Sequence, residues 1–216
     1  MDKRKEYTLA REYPSLLDST SGEREVSEHL RKCPQLLYWS LCRSSGHDRY
    51  VFREFPLGSS FKADFVVLNS YSGVWELFFV ELEPVDSPLF TKAGVASKRL
   101  AGAIKQVDDW RRYFDENKAQ LRADLVRWAK ARDLLGYSSR EEPSNFSGNR
   151  LADAATYLEA RYVIIVGRRE SLGPEEARRK AEYRTTHSVE IISYDRISDV
   201  VNSRYKNEEA WPESES

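Results

Sequence analysis

The 216 residues include only two cysteines, one methionine and three histidines. Cys33 and Cys42 are too few for a disulfide scaffold, so free thiols in a reducing compartment are expected. Neither they nor His29, His47 and His187 show zinc-ligand spacing, which argues against a structural zinc site. No apolar stretch approaches the ~20 residues that span a bilayer. The opening "MDKRKEYTLAREYPS" has no signal-peptide pattern. These absences predict a cytoplasmic chain with no membrane partner. A charge imbalance is also lacking, since 34 Lys and Arg stand against 35 Asp and Glu. Any nucleic-acid surface must therefore come from local clustering. There is no internal repeat, and only the terminal "NEEAWPESES" is compositionally biased.

What is present suffices for a core: 40% hydrophobic and 12% aromatic residues, on a length that suits one α/β domain. A loosely structured lead-in is expected over 1–20, the domain over 21–205 and a flexible tail over 206–216. Thr20 or Ser21 can cap a helix from about Gly22 to Cys33, with Val26, Leu30 and Cys33 inward. "RYVFREFPL", "FKADFVVL" and "VWELFFVELEPV" read as strands, near 50–55, 61–68 and 74–83. "KRLAGAIKQVDDWRRYFDEN" reads as an amphipathic helix with Leu100, Ala103, Ile104, Val107, Trp110 and Phe114 inward. A second helix follows near 120–135, and a short one is expected over "LADAATYLEA". A strand over 161–167, the helix "GPEEARRKAEYRTT", the strand "VEIISYD" and the helix "RISDVVNSRYKN" complete the order. This predicts an α/β fold, a mixed central sheet flanked by helices on both faces.

The third strand carries an anomaly. Glu81 and Glu83 share a face with Trp75, Leu77 and Phe79, while Phe78, Val80 and Leu82 make the other face apolar too. Such a strand is buried on both sides, and an unpaired carboxylate there is costly or takes up a proton. A turn near Tyr71 and Ser72 would set Asp64 opposite about Phe79, one or two positions from Glu81. A divalent cation on Asp64 and Glu81 would resolve the burial problem, because Mg²⁺ takes one or two protein carboxylates plus water and phosphate oxygens. Glu83, ~7 Å further along, could hold a second ion or deprotonate a water. That layout suits metal-assisted phosphodiester hydrolysis. Three other readings stay open. Glu83 could lie at an exposed strand end with Asp64 paired to Lys62 or an arginine. The carboxylates could form a glycosidase pair beside Trp75 and Tyr71. The chain could also be a non-catalytic interaction domain. On the first helix, Glu23 lies one turn before Val26 on the same side, whereas Glu25 lies off that stripe.

Asp64, "E81-L-E83" and "Q106-V-D-D-W110" together resemble the PD-(D/E)XK nuclease superfamily, with its restriction-endonuclease-like αβββαβ core. More narrowly, "ADFVVL", "FFVELEPVDSPLFTKAGVASKRLAGAIKQVDDWRRYF", "VIIVGRR" and "IISYDRISDVV" resemble the Shedu-type antiphage nuclease domain, from about Glu23 to Val201. The resemblance implies a metal-dependent DNA endonuclease of bacterial defence using Mg²⁺, with Mn²⁺ able to substitute. It implies Asp64, Glu81 and the Leu82 carbonyl as metal ligands, Gln106 as active-site support, and Glu23 on the first helix, with Glu25 second. Glu83 stands where the family usually has lysine. It could be a general base or bind a second metal, or it could mark a degenerate domain that binds DNA or senses invaders without cleaving. Lys98, Arg99, Lys105, Arg111, Arg112 and Arg168 are the candidate contacts to DNA backbone phosphates. With no helix-turn-helix or zinc finger apparent, sequence preference would have to come from homo-oligomerisation or from a specificity partner.

Overall fold

Three consecutive strands that are apolar on both faces demand cover on both faces, and the architecture follows from that demand. The computed structural model describes residues 3–42, 46, 48–71, 73–138 and 140–207. Three helices come first: α1 (Lys3–Ser19), α2 (Glu23–Lys32) and α3 (Pro34–Leu41). The strands β1 (Arg49–Leu57), β2 (Phe61–Tyr71) and β3 (Val74–Leu82) follow, then helices α4 (Lys98–Glu116) and α5 (Lys118–Ala131). The short β4 (Leu135–Tyr137), β5 (Tyr157–Ile165), α6 (Pro174–His187), β6 (Glu190–Ile192) and α7 (Asp195–Arg204) complete the order.

The six strands form one mixed sheet in the order β4-β1-β2-β3-β5-β6. β1, β2 and β3 make an antiparallel meander, while β5 and β6 run parallel to β3. On one face, Tyr50, Phe52, Leu68 and Leu77 pack with Leu100, Val107, Leu121 and Leu125 of α4 and α5. On the other, Val51, Val67, Phe78 and Val80 pack with residues of α1, α2, α3 and α7. The α/β sandwich read from the sequence is the architecture observed.

Several local expectations are corrected. Residues 3–19 are not a loose lead-in but a helix, with Ala10, Tyr13 and Leu17 buried at helical spacing. Pro14 and the early charges hide that stripe, yet packing on α7 and α2 holds the turn that proline weakens. The residue preceding α2 is Gly22, and no side-chain cap from Thr20 or Ser21 is formed. "LADAATYLEA" is not helical: turns occupy 151–156, and Tyr157–Ala160 open the strand Tyr157–Ile165, which pairs in parallel with Val74–Leu82. The hairpin pairs Tyr71 with Val74, so the turn is centred one residue later than expected. That moves Asp64 from opposite Phe79 to the position beyond the Phe65–Val80 pair, beside Glu81. α3 and β4 were not anticipated. Most of the expected tail, and His47, lie outside the described residues.

Candidate active site

β2 and β3 bring Asp64 and Glu81 to adjacent strands at one end of the hairpin, and two hydrogen bonds orient them. The Leu82 amide donates to Asp64 Oδ2 at 2.8 Å. Gln106 Nε2 donates to Glu81 Oε2 at 2.8 Å. Trp110, one turn further along α4, is buried with its ring 6.2 Å from that of Phe79. This contact sets the rotation of α4 and so aims Gln106 at β3. The remaining oxygens, Asp64 Oδ1 and Glu81 Oε1, accept no hydrogen bond among the described residues.

The β1–β2 ladder is interrupted beside Asp64. Arg53 pairs with Phe65 and Phe55 with Ala63, while the intervening Glu54 takes the left-handed φ of 51°. Tyr50, Phe52, Phe55 and Leu57 all join the same core, so the in–out alternation slips by one at Glu54. A non-glycine residue held in this region is strained, and such residues cluster at functional sites.

Glu81 and Glu83 are each 9% exposed. Burial, then Asp64 and Glu83, push the Glu81 carboxyl up to about 9, against the Gln106 bond that favours the anion. Burial also raises Asp64, opposed first by the Leu82 amide and then by Lys62. Glu83 is pushed up to about 7, chiefly by burial, with Arg99 opposing. Its backbone is pinned: its amide donates to the Ile165 carbonyl at 2.9 Å, and Tyr194 Oη donates to its carbonyl at 2.7 Å. The reading that left Glu83 on an exposed strand end is therefore excluded. Lys62 forms its ion pair with Glu54 at 3.4 Å, not with Asp64.

Glu23 opens α2, and its charge bears on Asp64, Glu81 and Glu83. The Asp86 amide donates to the Ser21 carbonyl at 3.2 Å, tying the α2 start to the loop after β3. Glu25 instead lines a separate groove with Glu28, His29 and Lys32. The six candidate DNA contacts divide. Lys98, Arg99 and Lys105 are exposed on α4, and Lys105 lines a groove of about 340 Å³ with Ser60, Lys62, Gly102 and Gln106. Arg111 turns away, stacking 4.9 Å over Tyr162 and donating to the His187 carbonyl at 2.7 Å. Arg112 is exposed and paired with Asp109. Arg168 is held by Asp195 at 3.1 Å and Asp18 at 3.0 Å. Sequence grouping missed these structural uses of Arg111 and Arg168 because their partners lie far along the chain. It also missed Lys62 as part of the groove, though "FKADF" puts it two residues before Asp64.

Among the described residues, no three His, Cys, Asp or Glu side chains converge as a metal cluster. What the site offers is two carboxylates with an oxygen each to spare, and the Leu82 main chain between them. An all-oxygen donor set of that size suits Mg²⁺ or Mn²⁺ and not a soft metal.

The layered α/β fold with its mixed sheet is consistent with a restriction-endonuclease-like core. The chain belongs to the family described as Shedu protein SduA, C-terminal, whose profile matches residues 20–197. That membership points to a role in antiphage defence. A search of the curated proteins finds no match. Among the described residues, no helix is long and apolar enough to cross a membrane.

Proposed function

We propose that the protein is a metal-dependent DNA endonuclease acting in antiphage defence. The observation that carries this reading is the pair of half-buried Asp64 and buried Glu81, set side by side on adjacent strands and held by the Leu82 amide and the Gln106 side chain. Two adjoining carboxylates largely withdrawn from water, neither in an ion pair with any described residue, are destabilising for the protein alone, so the arrangement makes sense as a receptor for positive charge. Asp64, Glu81 and the Leu82 carbonyl would hold Mg²⁺ or Mn²⁺. Such an ion, when bound, supplies the Lewis acid that polarises the scissile phosphate and acidifies water. Gln106 keeps Glu81 Oε1 turned toward the site by occupying Oε2. Glu83, pushed up to about 7, is poised as the general base that takes a proton from the attacking water. Lys62, Lys98, Arg99 and Lys105 would border the path of the DNA backbone, a charge array suited to phosphates and not to base edges.

The test is cleavage of duplex DNA with Mg²⁺ or Mn²⁺ by the wild type and by Asp64→Asn, Glu81→Gln and Glu83→Gln. The first two should lose on the order of 100-fold or more in rate, and Glu83→Gln should lose the rise in rate with pH through neutrality. One observation favours a second reading. Glu83 occupies the place of a lysine in the resembling nucleases, which suits a domain that binds DNA without cutting it. DNA binding without cleavage in either metal, and cleavage gained in Glu83→Lys, would establish that alternative.

A further inference from the structure

A second cluster of charge lies far from the carboxylate pair. Glu76 precedes Glu81 by five residues of β3, ~16 Å along the strand, and it projects to the opposite face of the sheet, as Phe78 does. There a cavity of about 420 Å³ is lined by Tyr71, Glu76, Arg161, Arg184, Glu190 and Arg196. An adjoining one of about 310 Å³ shares Arg184, Glu190 and Arg196 and adds Lys180 of α6. Four cations therefore face two carboxylates. Both carboxylates are already engaged: Glu76 with Arg161 at 3.0 Å and with the Asn69 amide at 3.1 Å, and Glu190 with Arg196 at 2.8 Å. Arg196 is fixed further by donating to the Ser40 carbonyl at 2.9 Å. Arg184 and Lys180 make no hydrogen bond or ion pair with any described residue. Lys180 is half-buried, and burial and then Arg196 lower its pKa, with only Glu190 opposing.

A half-buried ammonium among guanidinium groups is unfavourable unless an anion completes the site. The two fixed arginines would present preorganised donors, and the two unpaired cations would supply the net charge. Arginine forks match phosphate oxygens, and a concave site of this volume suits a small ligand. We infer that this groove binds a phosphoryl group, as a second site on the sheet face opposite the candidate active site. Tyr71, on its rim, offers a ring against which a base can stack. The ligand is then a nucleotide or the phosphorylated end of a polynucleotide.

The test is calorimetric titration in EDTA, so that metal chelation plays no part, with pyrophosphate, ATP and a short 5′-phosphorylated single strand as probes. Lys180→Gln and Arg184→Gln should each weaken binding by about tenfold (~1.4 kcal/mol), while Asp64→Asn leaves it unchanged. Lys180→Gln should also melt no lower than wild type without ligand, since it relieves an unpaired charge. Binding of ATP and pyrophosphate identifies a free-nucleotide site. Binding of the oligonucleotide alone identifies a polynucleotide end. No binding of any probe at millimolar concentration, or binding indifferent to both substitutions, would overturn the inference. Because the readout needs neither metal nor cleavage, its failure is distinguishable from failure of the nuclease reading.

Discussion

At Glu81, burial and the charges of Asp64 and Glu83 act in one direction, and only the Gln106 amide opposes them. The carboxyl is pushed up to about 9 in the folded protein, while an unfolded glutamate titrates near ~4.3. The native state thus holds the proton more tightly than the unfolded chain. The stability this contributes is complete at low pH and is lost as pH rises through the folded value. Between about pH 5 and pH 8, metal-free wild type should lose on the order of 1–3 kcal/mol from this pair. Glu81→Gln keeps the shape and removes the charge, so its stability should fall less over that range and its melting temperature at pH 8 should exceed that of wild type. Parallel melting-temperature profiles for the two proteins would contradict the assignment. A residue whose removal stabilises the fold while abolishing activity is what a functional carboxylate predicts. Asp64 and Glu81 were legible as anomalies because acidic residues interrupt apolar strands. The use of Arg111 and Arg168 was not legible, since nothing near either residue announces Tyr162 or Asp195.

Among the elements, α1 and the start of α7 brace Glu83, the residue that follows β3. Tyr13 Oη donates to the Tyr194 carbonyl at 3.3 Å, and Tyr194 Oη donates to the Glu83 carbonyl at 2.7 Å. Tyr205 Oη donates to Glu6 at 2.6 Å, closing α7 onto α1. At the exit of β5, Gly167 has φ of 66°, and a Cβ there would meet the Ser87 carbonyl at 2.8 Å. Only glycine lets β5 turn this close to the loop after β3. Tyr194→Phe should cost about 1 kcal/mol of stability. It should also lower kcat several-fold with KM little changed, because the Glu83 backbone loses a tether while the DNA-facing surface keeps its charges. A purely structural role would move the melting temperature and leave kcat alone. Helix α4 was readable from its apolar stripe, with all six expected inward residues buried. α1 was not, because its three buried residues are separated by charge and include the turn around Pro14.

For the whole molecule, the two cores share one sheet, and the candidate active site opens where β2 begins and β3 ends, against α2 and α4. A ligand that binds only the folded state stabilises it by mass action, by about 2.7 kcal/mol at a concentration 100 times its Kd. Saturating Mg²⁺ or Mn²⁺ should therefore raise the melting temperature at pH 8 by roughly 5 °C or more. The increment should vanish in Asp64→Asn and in Glu81→Gln. Equal shifts in wild type and both variants would place any bound metal elsewhere.

The sequence alone determined the three-stranded apolar centre, the helical cover, the acidic positions on β2 and β3 and the family resemblance, because these rest on periodicity and residue type within short windows. Tertiary structure decided what depends on register and distant partners. The turn position brought Asp64 beside Glu81, and the β3–β5 pairing drew Tyr157–Ala160, expected as helix, into strand. The packing of α2 placed Glu23 near the carboxylates, and the burial of Glu83 turned an apparent strand end into an interior group. Pairing and burial are contests between segments far apart in the chain, and no local window contains both contestants.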